Sequence, residues 1–183
     1  KKTVVIHEAA DSIFKPVARP DRKSLGLEFE KPFILWVGTL SPRKNLILLL
    51  KALEILHQRG NTYHLVVIGR RGWKDQPIFD FIRERKLERY VHVLGYQPRE
   101  IMPVFYSACG VFVFPSLYEG FGLPLLEAMA CGAPVLASAT SSMPEIVPSE
   151  ELLFDPMNPF ELAERIRWVL ENPSVQARLS KAG

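Results

Sequence analysis

Five short runs of apolar, β-branched and aromatic residues recur along the chain, at Phe33–Val37, His64–Ile68, Val91–Leu94, Val111–Phe114 and Pro134–Ala137. Apolar residues return every three or four positions over Pro42–Arg59, Ile78–Arg85, Pro98–Ala108, Pro124–Cys131, Ser142–Val147 and Pro159–Leu170, the spacing of amphipathic helices. Leu46, Leu49, Leu50, Leu53 and Leu56 would share one buried face of the first of these. A run such as Leu65-Val66-Val67-Ile68 has no polar alternation, which implies burial on both faces, as in a parallel sheet covered by helices. The pattern predicts a single doubly wound, Rossmann-like α/β domain over residues 1–183. Residues 1–30 would hold a β-rich run at Thr3–Ile6 and, over Asp11–Glu30, a connection with prolines and charges but no sustained period. In such sheets ligands meet the carboxyl ends of the strands, so candidate chemistry belongs to Gly38–Lys44, Gly69–Lys74, Gly95–Pro98, Pro115–Pro124 and Ser138–Pro144.

Composition narrows the function class without changing the fold. With 48% hydrophobic and 23% charged residues, the 183-residue chain has an ordinary globular make-up, which excludes a disordered or low-complexity protein. A net charge of +3 from 23 basic and 20 acidic residues leaves no basic excess for a nucleic-acid partner. The apolar runs fall far short of the about 20 residues that a membrane helix needs, and Lys1-Lys2 lacks the apolar core of a signal peptide. The two cysteines, Cys109 and Cys131, stand in no C-x-x-C pair, against both a disulfide framework and a zinc site. These features lead us to expect a soluble, cytoplasmic protein without a metal.

The familiar nucleotide motifs are absent. No G-x-G-x-x-G and no G-x-x-x-x-G-K-[ST] occurs, nor an Asp-x-Asp pair to hold a metal-bound diphosphate. The turn Gly38–Lys44 instead leads from a strand into a helical pattern, with Ser41 at the N-cap and Pro42 at the first helical position. That would set Arg43 and Lys44 in the first helical turn, where cations oppose the helix dipole and a bound phosphate would reverse the balance. Two solvated side chains are the plain alternative. A second turn, Pro115 to Pro124, follows the Val111–Phe114 strand and brings the amides of Gly120, Phe121 and Gly122 to another helix start. Glu119 and Glu127 bracket it, and carboxylates so placed suit vicinal hydroxyls, as sugars offer. Taken singly, Glu127 also fits a surface residue near a helix N-terminus, and Ser116-x-x-Glu119 fits a capping box. For Ser142-x-x-Glu145 the cap is the better reading. His7, His57, His64 and His92 join no catalytic spacing and read as structural or surface residues, and Arg70 and Arg71 add at most positive potential.

The string Glu119-Gly120-Phe121-Gly122-Leu123-Pro124-Leu125-Leu126-Glu127 resembles the E-x7-E signature of retaining GT-B glycosyltransferases that use GDP-mannose, UDP-glucose and similar donors. Further blocks agree in order: Trp36 to Asn45, Val67 to Trp73, Val93 to Tyr96 and Ser142 to Val147. The resemblance implies the C-terminal, donor-binding half of a GT-B enzyme, mannosyltransferase-like. It gives Glu119 the donor-sugar hydroxyls, with the amides of Gly120, Phe121, Gly122 and Leu123 near sugar and diphosphate, and gives Glu127 the ribose. It gives Lys44, with Arg43, the charge on the departing diphosphate without a metal. Gly38 and Gly69 allow close approach, and the backbone around Leu94 faces the base. Thr39 departs from the family pattern, which often has Arg after the Gly38 equivalent, and Arg43 is the candidate substitute. The implied partners are a nucleoside-diphosphate sugar, an N-terminal acceptor domain absent from this chain, and a glycan or lipid-linked acceptor, with peripheral membrane contact through that other half. No cofactor is implied beyond the nucleotide sugar as substrate. A stand-alone sugar-nucleotide-binding module and a GT-B-fold epimerase are the competing readings, the latter disfavoured by the two glutamates.

Overall fold

In the computed structural model, residues 8–182 are described except 19, 21, 22, 30 and 148. The expected strand at Thr3–Ile6 lies outside them. The sheet is six-stranded and parallel, built from β1 (Phe33–Val37), β2 (His64–Ile68), β3 (Val91–Gly95), β4 (Val111–Phe114), β5 (Val135–Ser138) and β6 (Leu153–Phe154). Their order is β3-β2-β1-β4-β5-β6. This is the doubly wound order, in which the chain reverses direction across the sheet between β1 and β4. The α-helices are α1 (Leu46–Gln58), α2 (Gln76–Glu84), α3 (Met102–Ala108), α4 (Leu123–Ala130), α5 (Met143–Ile146), α6 (Pro159–Glu171) and α7 (Pro173–Ala182), and short 3-10 turns at Lys23–Leu25, Pro42–Lys44, Arg99–Ile101 and Glu150–Leu152 complete the described elements. One group joins α1 to α2 and α6, and α3 packs on α4.

The apolar runs form strands because only a sheet covered on both sides removes every one of their side chains from water. Leu65, Val66, Val67, Val111, Phe112 and Val113 are all completely buried. The leucine face of α1 is buried as its spacing predicts, with Leu49, Leu50, Leu53 and Leu56 fully enclosed and Leu46 nearly so. At roughly 25 cal/mol per Å² of apolar surface removed from water, this stripe and the strands beneath it dominate the favourable side of folding. The segment read as a connection is itself docked. Phe14 is buried and meets the Tyr106 ring edge-on at 6.1 Å, and the Val17 N–H donates to Ser107 Oγ at 3.0 Å.

Three differences from the sequence reading have local causes. The helix expected over Pro42–Arg59 is broken: Pro42–Lys44 is a single 3-10 turn, Asn45 takes a left-handed conformation (φ 53°), and α1 starts at Leu46. Asparagine tolerates that conformation better than most residues, and here its Nδ2 donates to the Pro156 carbonyl at 3.0 Å. The pattern Pro98–Ala108 likewise divides into a 3-10 turn, Arg99–Ile101, and α3. Finally β6 and α7 escape the pattern, the first because two residues carry no period and the second because its apolar positions are sparse.

Candidate functional site

The loops after β1 and β4 meet at the point where the winding reverses. The Leu117 N–H donates to the Arg43 carbonyl at 2.9 Å, and Arg43 Nη1 donates back to the Tyr118 carbonyl at 2.6 Å. Between them Glu119 is gripped by two cations: Lys44 Nζ donates to Oε1 at 2.5 Å, and Arg43 Nη1 lies 2.9 Å from Oε2. The Lys44 and Glu119 side chains are only 13% and 11% exposed, whereas that of Arg43 is 50% exposed. Water therefore screens the lysine contact far less than the arginine one. The Lys44 ammonium also lies 5.2 Å from the centre of the Phe114 ring. Burial pushes the Glu119 carboxyl up, but the bonds it accepts from the Lys44 and Arg43 cations outweigh it and hold its pKa below the ordinary value.

This geometry corrects the expected helix start. Arg43 and Lys44 lie in the 3-10 turn before Asn45, so they face a carboxylate instead of the positive end of α1. Ser41 is extended and its side chain caps nothing. Glu119 opens no helix, since α4 begins at Leu123 behind Gly122, whose φ of 120° a side chain would strain. The capping box read at Ser142 is absent too: its hydroxyl donates to the Phe121 carbonyl at 2.5 Å and makes no cap bond.

Beside the ion cluster an open cleft of about 450 Å³ runs along the carboxyl ends of β1, β2 and β3. Gly38 and Gly69 form its floor and Glu127 one edge, with Phe14, Arg70 and Tyr96 on the walls. The floor requires glycine. A Cβ on Gly69 (φ 151°) would fall 1.7 Å from the Gly38 carbonyl oxygen, so the two loops lie in direct contact. A Cβ on Gly38 would meet Lys44 Cδ at 3.6 Å, which sets the cleft against the ion cluster. Glu127, from α4, is half-buried and accepts the Tyr106 hydroxyl at 3.0 Å. Burial raises its pKa above the ordinary value, against the opposing pull of that bond and of Arg99. On the far wall the Arg70 guanidinium stacks 4.6 Å from the centre of the exposed Tyr96 ring.

The sequence-predicted residues thus fall into three groups. Glu119, Lys44 and Arg43 share one ion cluster, Gly38, Gly69 and Glu127 line the adjacent cleft, and Gly120, Phe121, Gly122 and Leu123 lead into α4, whose first N–H groups have no intrahelical acceptor. Leu94 does not line the cleft; its carbonyl takes Gln97 Nε2 at 3.0 Å, and Tyr96 and Gln97 form the wall instead. Phe14 and Tyr106 escaped the sequence reading, whereas Tyr96 and Gln97 fall in the Gly95–Pro98 segment that it marked just past a strand's carboxyl end without singling out either residue. Larger hollows of about 1000 and 780 Å³ open at the amino ends of the strands, away from these groups. Among the described residues no three His, Cys, Asp or Glu side chains gather as a metal site would require, and no helix is long and apolar enough to cross a membrane.

Comparison with known proteins supplies a family for this fold. The family model described as "Glycosyl transferases group 1" matches residues 17–183. The chain is 40% identical over 143 residues to O-antigen chain mannosyltransferase B of Escherichia coli, covering 78% of this chain and 38% of that protein. It is 35% identical over 145 residues to the serotype-specific mannosyltransferase WbdA of Escherichia coli, covering 76% of this chain and 17% of the other. Among solved structures, sucrose-phosphate synthase from Thermosynechococcus elongatus superposes with a TM-score of 0.81 at 34% identity over 92% of this chain and 43% of that one. Anabaena HepE in complex with UDP and glucose superposes at 0.84 with 26% identity, over 97% and 50%. The chain therefore spans half or less of the length of these relatives.

Proposed function

The chain belongs to the group 1 glycosyl transferases, and from that premise we propose that it is the donor-binding part of a retaining hexosyltransferase, with GDP-mannose as first-choice donor and a glycan or lipid-linked acceptor. The observation that carries this is the Lys44–Glu119–Arg43 cluster set against the glycine-floored cleft that ends in Glu127. In this reading the nucleoside occupies the cleft, and the ionised Glu127 accepts the ribose hydroxyls while Tyr106 holds it. The diphosphate lies over Gly38, where Lys44 and Arg43 can turn from Glu119 to the phosphate oxygens. Glu119 then accepts hydroxyls of the sugar. A carboxylate that exchanges two cations for a diol gives up ion pairs as it gains hydrogen bonds, so the exchange is balanced only if the phosphates take over the cations.

The transfer itself would break the bond between the anomeric carbon and the phosphate oxygen, with the electron pair departing on the diphosphate. The acceptor hydroxyl oxygen forms the new bond, and its proton passes to the departing phosphate. Lys44 and Arg43 stabilise the charge that develops there, a task fixed cations perform without a metal. The mannosyltransferase names of the relatives support mannose as the sugar. The reading sets the donor chemistry in the cytoplasm, with the acceptor held by polypeptide beyond these residues. Calorimetric titration with GDP, UDP and ADP, and with their sugar conjugates, tests it without added metal. Binding of GDP-mannose is expected, and no heat with any ligand at millimolar concentration, the equivalent of about −4 kcal/mol, would remove the proposal.

A further inference from the structure

The loop between β5 and α5 is bonded to the Glu119 turn across 20 and more residues of sequence. Ser141 Oγ donates to the Glu119 carbonyl at 2.7 Å and accepts the Glu119 N–H at 3.2 Å. Ser142 Oγ donates to the Phe121 carbonyl at 2.5 Å, with the Glu119 carbonyl 3.3 Å away. To reach, Ser141 adopts φ 55°, a left-handed conformation that residues with a Cβ seldom take. Such strain persists only where surrounding contacts over-determine it. Behind the loop, a Cβ on Gly122 would lie 3.2 Å from Ile146 of α5, so helix and turn are in contact as well.

We propose that Ser141 and Ser142 are positioning residues that latch the main chain of the Glu119–Gly122 turn in its donor-binding form. The argument is in the peptide plane. The carbonyl of Glu119 and the N–H of Gly120 belong to one trans peptide and point in opposite directions, as do the carbonyl of Phe121 and the N–H of Gly122. Hydroxyls that hold the two carbonyls on one side therefore aim the two N–H groups to the other. Without them a turn containing Gly120 and Gly122 would spread over many conformations, and a ligand would have to supply the ordering. The same bonds fix the Glu119 backbone from which its carboxylate reaches Lys44 and Arg43. A glycine at position 141 would take φ 55° without strain but supply no hydroxyl, which separates conformation from latch.

The proposal rests on the donor reading for its consequence but not for its existence. Ser141→Gly is expected to leave the unfolding midpoint unchanged or raised, because it relieves the left-handed strain, while the Glu119 amide exchanges its hydrogen about tenfold faster. In calorimetry the variant should bind GDP as the unsubstituted chain does and lose about tenfold of the extra affinity for GDP-mannose. Ser142→Ala should lower the same ratio, and Ser142→Thr, which keeps the hydroxyl, should preserve it. A Glu119 amide that exchanges at the original rate in Ser141→Gly, or a GDP-mannose to GDP ratio that survives both Ser141→Gly and Ser142→Ala, would overturn the latch. Failure of the unsubstituted chain to bind any nucleotide would overturn the donor reading and the consequence assigned to the latch, while the exchange rate still decides whether the latch exists.

Discussion

Glu119 and Glu127 stand eight positions apart on one turn and helix, yet their surroundings pull their pKa values in opposite directions. Cations hold Glu119 below the ordinary carboxylate value, and burial carries Glu127 above it. On the donor reading, Glu127→Gln should weaken GDP and GDP-mannose alike by ~1.5–3 kcal/mol, since ribose is common to both, whereas Glu119→Gln should remove only the increment due to the sugar. Equal losses on both ligands from both substitutions would refute the division. The raised pKa of Glu127 adds a pH dependence: as pH falls, the carboxyl takes up its proton before an ordinary glutamate would and can no longer accept two hydroxyls. GDP affinity measured between pH 7.5 and 5 should decline in the unsubstituted chain and stay level in Glu127→Gln.

At the scale of elements, the amino ends of β2 and β3 carry a histidine pair with a structural role. His64 Nδ1 lies 2.9 Å from His92 Nε2, the Phe29 ring stacks on His64 at 4.1 Å, and His57 contacts the Tyr63 carbonyl at 2.9 Å. Burial lowers the pKa of all three imidazoles from 6.5, and for His64 the neighbouring His92, His57, Lys31 and Arg89 add to it. The sign follows: between the folded and unfolded pKa values the unfolded chain binds more protons, so stability is present above about 6.5 and is lost as pH falls through the lower folded values. The unfolding midpoint should therefore drop from pH 7.5 to pH 5.5, by about 2–4 °C for each kcal/mol lost in a chain of this size. The drop should shrink in His92→Gln. A midpoint indifferent to pH over this range would show that these histidines are protonated equally in both states.

For the molecule as a whole, the sheet order gathers the ion cluster and the cleft at the carboxyl ends of the strands, and nothing among the described residues opposes them across a second wall. Positioning an acceptor hydroxyl against the anomeric carbon can account for ~7–11 kcal/mol of barrier lowering. On the donor reading, the open cleft would also leave a bound diphosphate in contact with water, weakening what Lys44 and Arg43 can do for it. The 183-residue chain is accordingly expected to bind donor but to transfer no sugar beyond slow hydrolysis. An assay with radiolabelled GDP-mannose and an acceptor extract, comparing this chain alone with the chain joined to the preceding part of a longer relative, checks it. Comparable transfer by both would place the acceptor site within residues 1–183 and defeat the two-part mechanism.

The alternation of unbroken apolar runs with leucine-type helical spacing determined the architecture from the sequence alone, because burial on both faces leaves a parallel sheet few alternatives. The same rule pointed to the carboxyl ends of the strands as the place for candidate chemistry, and the Glu119–Glu127 string singled out the turn that the fold sets beside the cleft. Local pattern misread the ends of elements. Ser41 and Ser142 do stand at the N-cap positions of the Pro42–Lys44 turn and of α5, but neither side chain makes a cap bond, and Ser116 precedes no helix, since α4 is entered from Gly122. A hydroxyl bonds whichever carbonyl or amide the fold brings within 3 Å or so, and for Ser142 that partner is Phe121, 21 residues away. Long-range neighbours likewise decided that Glu119 is an ion-paired carboxylate, that Asn45 breaks the first helix, that Phe14 lines the cleft and that Tyr106 holds Glu127 at its edge. Periodicity along a chain records which side chains must leave water. It holds no record of which distant polar groups meet once they have done so, and those meetings set the charges and directions of the site.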